Sequence, residues 1–261
     1  MGKITDALKK AAEERIDRFD KITKIREREK LIIKKIGDSN VDPRIVTYFD
    51  SKALITEQYK ILRTNLLANQ KKKPVKVLVV TSSLHSEGKT ITVLNLSMVL
   101  AQSTQKPKVL VIDGDIRRGR ISKYLGVPQK VGLTEVLTGK KKISDVLFNI
   151  DVDNLTFISS GSVPENPAEL LASNKMKRLI EDMKVEFDHV LIDTPPIISV
   201  TDSGIVGAIS DGVLMVIQAG RTQRGIIKRA EELLHQSHSK VVGHVLTNIE
   251  YHLPEYIYRY L

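Results

Sequence analysis

The sequence predicts an α/β fold with a doubly wound, mainly parallel central sheet. From residue 75 onward, short apolar runs rich in Val and Ile alternate with helical segments. Continuous apolar runs of this length are typical of parallel strands that are buried on both faces. Their alternation with helices is typical of a sheet that is covered by helices on both sides. The predicted strands are 75–80, 108–113, 155–159, 189–193, 212–217 and 241–246.

Helices are predicted between these strands and also before the first one. The predicted helices are 52–69, 89–103, 174–185 and 222–236. An earlier helix is predicted from the start of the chain to about residue 36, because apolar residues recur there at three- and four-residue spacing. This apolar stripe is narrow, so the helix docks on a partner, pairs in a coiled coil or forms a self-packed extension. The predicted organisation is a helical extension with its linker (1–42), a core domain (43–248) and a flexible tyrosine-containing tail (249–261).

Composition limits the classes of function. The chain has 261 residues, no cysteine and a formal charge of +10. The lack of cysteine excludes disulfides and cysteine-ligated metals, and no apolar run reaches the ~18 residues of a membrane span. We therefore expect a cytoplasmic protein.

The charge favours either an anionic partner or a lysine-rich surface. Aromatic residues do not interleave with the basic clusters at 71–76 and 139–142, so nucleic acid is not expected as a partner.

A candidate phosphate-binding loop follows the first predicted strand. Residues 81–90 read TSSLHSEGKT and fit the pattern G-x-x-x-x-G-K-[ST], except that Ser83 stands at the first glycine. The backbone N–H groups at the start of the next helix favour an anion. In such a loop Lys89 can reach the β- and γ-phosphates, and the Thr90 hydroxyl can ligate Mg²⁺.

Two further motifs end in aspartate at the carboxyl ends of predicted strands. VLVIDGDIRR (109–118) contains Asp113 and Asp115, and FDHVLIDTPP (187–196) contains Asp193. Closely spaced carboxylates repel each other unless a cation is near, so a metal and a neighbour such as Arg117 would stabilise them. Asp193 stands where a Walker B aspartate would hold Mg²⁺ or orient a nucleophile. Each motif alone is also compatible with a solvated strand end, but the three in this order favour one nucleotide site.

Together with other segments, these motifs resemble the bacterial tyrosine kinases that accompany exopolysaccharide synthesis and export. The resemblance covers about residues 43–261, and the start of the chain is similar to stand-alone kinases of exosortase-type systems. It implies a P-loop NTPase fold, ATP and Mg²⁺ as cofactors and transfer of the γ-phosphoryl group to tyrosine. The other segments that carry it are EQYKILRTNL (57–66), GLTEVLTGK (132–140), ENPAELLAS (165–173), TDSG (201–204) and the C-terminal tyrosines.

The resemblance also implies roles for individual residues. The implied catalytic residues are Lys89, Asp113, Asp115 and Asp193, and the implied metal-binding residues are Thr90, Asp115 and Asp193. The implied nucleotide-binding residues are Ser86, Glu87, Gly88, Lys89, Thr90, Ile91 and Arg117. The implied autophosphorylation sites are Tyr251, Tyr256, Tyr258 and Tyr260. Asp113 is the candidate acceptor for the tyrosine hydroxyl proton, with the division of roles between Asp113 and Asp115 left open.

The resemblance implies partners as well. Glu57, Lys60 and Arg63 occupy the family's E-x-x-R-x-x-R positions, which form contacts in ring homo-oligomers. Lys60 replaces an arginine and lacks its bidentate fork, which weakens that expectation. Further departures from the family pattern are His85, Ser86 and Gly119. The chain should act on itself and on other protein tyrosines. A separate membrane-embedded polysaccharide co-polymerase should activate it and hold it at the inner face of the plasma membrane.

Two alternatives belong to other functional classes. A non-kinase ATPase switch of the partition or division-site type usually carries a second lysine early in the phosphate loop. Leu84, His85 and Ser86 provide none, which favours the kinase. A pseudokinase scaffold would bind nucleotide without catalysis, and the intact lysine and aspartates of the three motifs argue against it.

Overall fold

The computed structural model describes residues 41–68, 74–127, 131–150 and 152–249. The predicted N-terminal helix and the four tail tyrosines lie outside these residues. The helices are α1 (Val46–Phe49), α2 (Leu54–Ala68), α3 (Lys89–Ala101), α4 (Ile121–Tyr124), α5 (Leu133–Leu137), α6 (Pro167–Leu171), α7 (Asn174–Glu186), α8 (Asp202–Ala208) and α9 (Arg224–Gln236). The strands are β1 (Val77–Ser82), β2 (Val109–Asp113), β3 (Leu147–Asn149), β4 (Leu155–Ile158), β5 (His189–Asp193), β6 (Gly212–Gln218) and β7 (Val241–Thr247).

These strands form one sheet in the order β3-β4-β2-β5-β1-β6-β7. All neighbouring pairs are parallel except β3 with β4, which is antiparallel. The predicted mainly parallel sheet is thus confirmed. The six predicted strands are all present, whereas β3 was not predicted. It has only three residues, all half-buried, and therefore lacks the continuous apolar run that marks its neighbours.

The core consists of two apolar layers, one on each face of the sheet. Val77 and Val79 of β1 belong to one layer, and Leu78 and Val80 belong to the other. This division follows from the two-residue side-chain period of a strand. The first layer is covered by α5, α7, α8 and α9, and the second by α2, α3 and α4. The sheet is therefore doubly wound, as predicted, and no helix in the described residues is long and apolar enough to cross a membrane.

The strand register brings the predicted site residues to one edge of the sheet. Asp193 at the end of β5 pairs with Asp113 of β2 on one side and with Val80 of β1 on the other. The loop that follows β1 therefore begins beside Asp193. Ligands of open α/β sheets bind at this carboxyl edge, so the topology supports the predicted location of the site.

The opposite end of β1 is held by Asp211. One carboxylate oxygen accepts hydrogen bonds from the backbone N–H groups of Lys76 (3.0 Å) and Val77 (2.9 Å). The other accepts a hydrogen bond from the Lys184 ammonium at the end of α7. Burial raises the pKa of Asp211, but the Lys184 and Val77 hydrogen bonds outweigh burial and hold that pKa below its ordinary value.

We expect Asp211→Asn to destabilise the fold in a pH-dependent way. Near neutral pH the loss in unfolding free energy should be about 1–3 kcal/mol, since a charged acceptor is removed from three donors. A carboxyl with a depressed folded pKa stabilises above its unfolded pKa of about 3.9 and stops stabilising as pH falls through the folded pKa. The difference should therefore shrink at about pH 3. Urea denaturation at both pH values checks this.

The matched control is Asp153→Asn, because Asp153 is an exposed aspartate. It should leave the unfolding free energy unchanged at both pH values. An equal loss for Asp211→Asn at both pH values would contradict the electrostatic account and point to side-chain shape instead.

Candidate active site

The loop between β1 and α3 contains two left-handed backbone positions. Ser86 has φ +65° and Gly88 has φ +93°. The left-handed conformation suits glycine but costs roughly 1–2 kcal/mol for a residue such as serine. A non-glycine residue in this conformation implies that contacts elsewhere hold the loop in shape. With this turn, α3 begins at Lys89 and presents the unpaired N–H groups of its first turn at the carboxyl edge of the sheet.

Lys89, Thr90 and Asp193 form the centre of the site. The Lys89 ammonium lies 3.4 Å from both carboxylate oxygens of Asp193 and 3.6 Å from Asp115 Oδ2. The Thr90 hydroxyl donates a 2.6 Å hydrogen bond to Asp193. The loop after β1 and the end of β5 are thus joined through side chains. This is the juxtaposition that the phosphate-loop and Walker B patterns predicted.

Asp115 and Asp193 contact this ammonium, and the nearby carboxyl group of Asp113 adds to the negative charge around it. Asp113 and Asp193 are fully buried, and Asp115 is 7% exposed. Burial raises the pKa of Asp113 to about 8, and the charge of Asp193 adds to that shift. Burial also raises the pKa of Asp193, against the opposing effects of Lys89 and Thr90. Burial lowers the pKa of Lys89, but the three carboxylates outweigh it and hold that pKa above its ordinary value.

This donor set fits a magnesium ion that is completed by phosphate oxygens. Asp113 Oδ2 accepts a hydrogen bond from Ile121 N–H at 3.0 Å, while its buried Oδ1 has no hydrogen-bond partner among the described residues. Among the described residues, no group of three or more histidine, aspartate or glutamate side chains is arranged to hold a metal ion by itself. Mg²⁺ usually takes one or two carboxylates together with substrate phosphates and water. Thr90, Asp115 and Asp193 remain the predicted residues around such an ion.

The remaining predicted nucleotide-binding residues are spread over the same edge. Ser86 and Gly88 shape the loop, and Ile91 is half-buried in the first turn of α3. Arg117 donates two hydrogen bonds to Asp202, from Nε at 2.7 Å and from Nη2 at 3.0 Å. The Asp202 hydrogen bond raises the pKa of Arg117. Nucleotide contact by these residues stays a prediction.

Three acidic side chains shape this edge in ways that the sequence did not indicate. Asp202, from the TDSG motif, is fully buried under Arg117. Glu135 accepts hydrogen bonds from the N–H groups of Gly132 (2.7 Å) and Ser162 (3.1 Å), and it thereby joins the 132–140 motif to the loop that follows β4. Glu87 is buried inside the phosphate loop itself. The sequence showed only that each of these acidic residues lies inside a motif. It did not indicate which group each carboxylate would accept a hydrogen bond from.

The predicted oligomer-contact residues lie together on α2 and are engaged within the chain. The Lys60 ammonium contacts Glu57 Oε1 at 2.7 Å and the Ser51 carbonyl at 2.9 Å. Arg63 donates to the Val99 carbonyl of α3 at 2.7 Å. Ring formation through these residues stays a prediction.

Comparison with known proteins identifies the family. Residues 75–241 match the family described as "AAA domain" (AAA_31). The tyrosine-protein kinase YwqD of Bacillus subtilis is 34% identical over 216 residues, which cover 83% of this chain and 90% of that protein.

The chain belongs to the bacterial tyrosine kinase family. The solved kinase domain of the Escherichia coli tyrosine kinase ETK matches with a TM-score of 0.76 and 27% identity, over 88% of this chain and 89% of that chain. The cell division ATPase MinD of Pyrococcus furiosus is more distant, with a TM-score of 0.55 and 25% identity over 66% of this chain and 71% of that one. The predicted family and the predicted P-loop fold are both confirmed.

One departure from the family pattern has a steric cause in this kinase. Gly119 follows the aspartate motif and packs directly on Ser160. A Cβ at Gly119 would lie 2.1 Å from Ser160 Oγ, 2.5 Å from Ser160 Cβ and 2.8 Å from Asp113 Oδ2. Such distances are far below van der Waals contact, so any side chain at this position would displace Ser160 or Asp113.

We expect Gly119→Ala to lower the unfolding free energy by about 1–3 kcal/mol, as overpacked sites do. The double variant Gly119→Ala/Ser160→Gly should recover part of that loss, because it removes the Ser160 side chain that the new methyl group would strike. Thermal and urea denaturation measure both effects. Gly225→Ala is the control, since a Cβ there meets nothing within 4 Å. Full stability of Gly119→Ala would contradict the packing described above.

Proposed function

We propose that this protein is an ATP-dependent protein-tyrosine autokinase. The observation that carries the proposal is the cluster of Lys89, Thr90 and Asp193, with Asp115 beside it, at the start of α3 and the carboxyl edge of the sheet. Phosphoryl transfer depends mostly on positioning and on stabilising charge, so a small set of fixed charged groups suffices. This chain is 34% and 37% identical in sequence to two proteins named tyrosine-protein kinases. That similarity supports tyrosine as the residue that accepts the phosphoryl group.

ATP would place its phosphates against the loop that ends at Lys89. The backbone N–H groups of the first turn of α3 would face the phosphate oxygens. The Lys89 ammonium would move its contacts from Asp193 and Asp115 to the β- and γ-phosphates. Thr90, Asp115 and Asp193 would hold Mg²⁺, which would neutralise phosphate charge when bound. Arg117, fixed by Asp202, would add positive charge at the rim of the site.

The proton of the acceptor hydroxyl would pass to an aspartate of the second motif. Asp113 was the candidate from the sequence. Burial favours its protonated form near neutral pH, so Asp113 would accept a proton only when a cation bound nearby favours its ionised form. Asp115 is the more exposed of the two and also contacts Lys89. Its position therefore suits an acceptor residue that arrives from solvent, and both carboxylates belong to the proposed proton-accepting pair.

The proposed acceptors are the tail residues Tyr251, Tyr256, Tyr258 and Tyr260, which would be phosphorylated in trans by a neighbouring subunit. A ring homo-oligomer with contacts at Glu57, Lys60 and Arg63 would bring tails and sites together. Cycling of this assembly would regulate exopolysaccharide or capsule synthesis and export. The proposed activator is a separate membrane-embedded polysaccharide co-polymerase that holds the kinase at the inner face of the plasma membrane. Other protein tyrosines are proposed as further substrates.

We expect Lys89→Ala to lose autophosphorylation by about 100-fold or more, because it removes the positive group at the transferring phosphate. Intact-mass spectrometry with and without ATP–Mg²⁺ measures the phosphate gain, and fragmentation maps it to the tail tyrosines. Lys141→Ala, in an exposed loop, is the matched control and should retain the gain.

Full phosphotyrosine in Lys89→Ala would sink the proposal. ATP hydrolysis without phosphotyrosine, measured with the activator's cytoplasmic segment present, would favour the alternative of a partition-type ATPase switch. Nucleotide binding with neither reaction would favour a pseudokinase scaffold.

A further inference from the structure

Glu87 is a buried carboxylate at the centre of the phosphate loop. It is 1% exposed, although it lies between the exposed residues His85 and Ser86 and the start of α3. Isolated buried carboxylates are costly, so a glutamate in this position needs several hydrogen-bond donors. The family resemblance implied that Glu87 binds nucleotide, and the structure gives its side chain partners within the protein.

Three donors from two loops point at the Glu87 carboxylate. Leu84 N–H donates to Oε2 at 2.7 Å, which closes the phosphate loop on itself. Gln218 N–H donates to Oε1 at 3.4 Å, and the Thr222 hydroxyl makes a shorter hydrogen bond to the same oxygen. Gln218 ends β6 and Thr222 lies in the connection from β6 to α9, so the carboxylate joins the phosphate loop to a segment more than 130 residues away in sequence.

The backbone of the same residue is held from the end of β7. The Thr247 hydroxyl donates to the Glu87 carbonyl at 2.7 Å. Thr247 also packs against the Cα of Gly88, where a Cβ would lie 3.4 Å from its methyl group. The segment from Ser86 to Gly88, with its two left-handed residues, is therefore held by protein contacts to the Glu87 side chain and to its backbone carbonyl.

We propose that Glu87 is a positioning residue that couples the phosphate loop to the β6–α9 connection through Thr222. The inference rests on the proposed nucleotide site and deepens it. Both Glu87 carboxylate oxygens accept hydrogen bonds from protein donors. The carboxylate therefore influences ATP binding by holding the phosphate loop in its conformation. It fixes the direction of the N–H groups that meet the phosphates, so the loop needs less ordering when ATP binds. The ordering cost of binding is then lower.

Substitutions at Thr222 and Glu87 test this coupling. Thr222→Val removes one donor at nearly constant volume, and Thr222→Ser keeps the hydroxyl. Glu87→Gln puts an amide N–H₂ group where the carboxylate accepted hydrogen bonds, so donors would face donors. Thr138→Val is the matched control, because Thr138 is an exposed threonine at the end of α5 whose hydroxyl bonds only within its own turn.

We expect the dissociation constant for ATP–Mg²⁺ of the full chain to rise about tenfold in Thr222→Val and in Glu87→Gln. The double variant should be little weaker than either single variant, because both changes break the same hydrogen bond. Thr222→Ser should restore wild-type affinity. In autophosphorylation assays the KM for ATP should rise while kcat stays within about threefold, since the loop contacts are made before and during phosphoryl transfer. Thermal midpoints measured alongside identify any variant that fails to fold.

Wild-type affinity in Thr222→Val, or additive effects in the double variant, would overturn the inference. Tighter ATP binding by Glu87→Gln would also overturn it, because the carboxylate would then act only by repelling phosphate. If Glu87→Gln fails to fold, the ATP affinities of Thr222→Val and Thr222→Ser alone decide whether the inference holds. Absence of ATP binding by the unaltered protein would overturn the proposed function and the inference with it. ATP binding that is unchanged in every variant would overturn the inference only.

Discussion

Three closely spaced carboxylates at the end of two adjacent strands, two of which contact the Lys89 ammonium, are the constraint on which the rest of this structure depends. Asp113 and Asp193 are register partners, and Gly114 N–H donates to the Asp193 carbonyl at 2.8 Å, so the sheet itself fixes the spacing of these charges. Their mutual repulsion and desolvation would destabilise the edge without Lys89. The lysine is supplied by a different loop, which must therefore hold its shape. An arrangement with excess negative charge is well suited to a cationic ligand accompanied by phosphate.

The loops around this edge are shaped by acidic side chains that face the protein rather than solvent. Glu87 binds the phosphate loop to the β6–α9 connection, Asp202 fixes Arg117, and Glu135 joins the segments at Gly132 and Ser162. In each case the carboxylate accepts hydrogen bonds from groups that would otherwise be unsatisfied within a buried or half-buried loop. Preformed loops reduce the ordering that a ligand must impose, which is the general advantage of preorganised sites.

The parts of the fold that follow a strong repeating pattern could be predicted from the sequence. The six parallel strands were predictable because burial on both faces demands continuous apolar runs, and Asp113, Asp115 and Asp193 could be placed at one edge because they end such runs. The helices α1, α4, α5, α6 and α8 were not predicted, since four to seven residues are too few to show a helical period. The contacts of Arg117 with Asp202 and of Glu87 with Thr222 span 85 and 135 residues, and no local pattern encodes such pairs.

The position of β1 in the middle of the sheet has a consequence for how the chain reaches this structure. The strand that leads into the phosphate loop pairs only with β5 and β6, which are more than a hundred residues further along the chain. During synthesis β1 therefore emerges from the ribosome long before either neighbour exists. Central strands with such distant partners form slowly and leave apolar segments exposed in the meantime. The carboxyl edge that carries the candidate site is thus among the last parts of the domain to become structured.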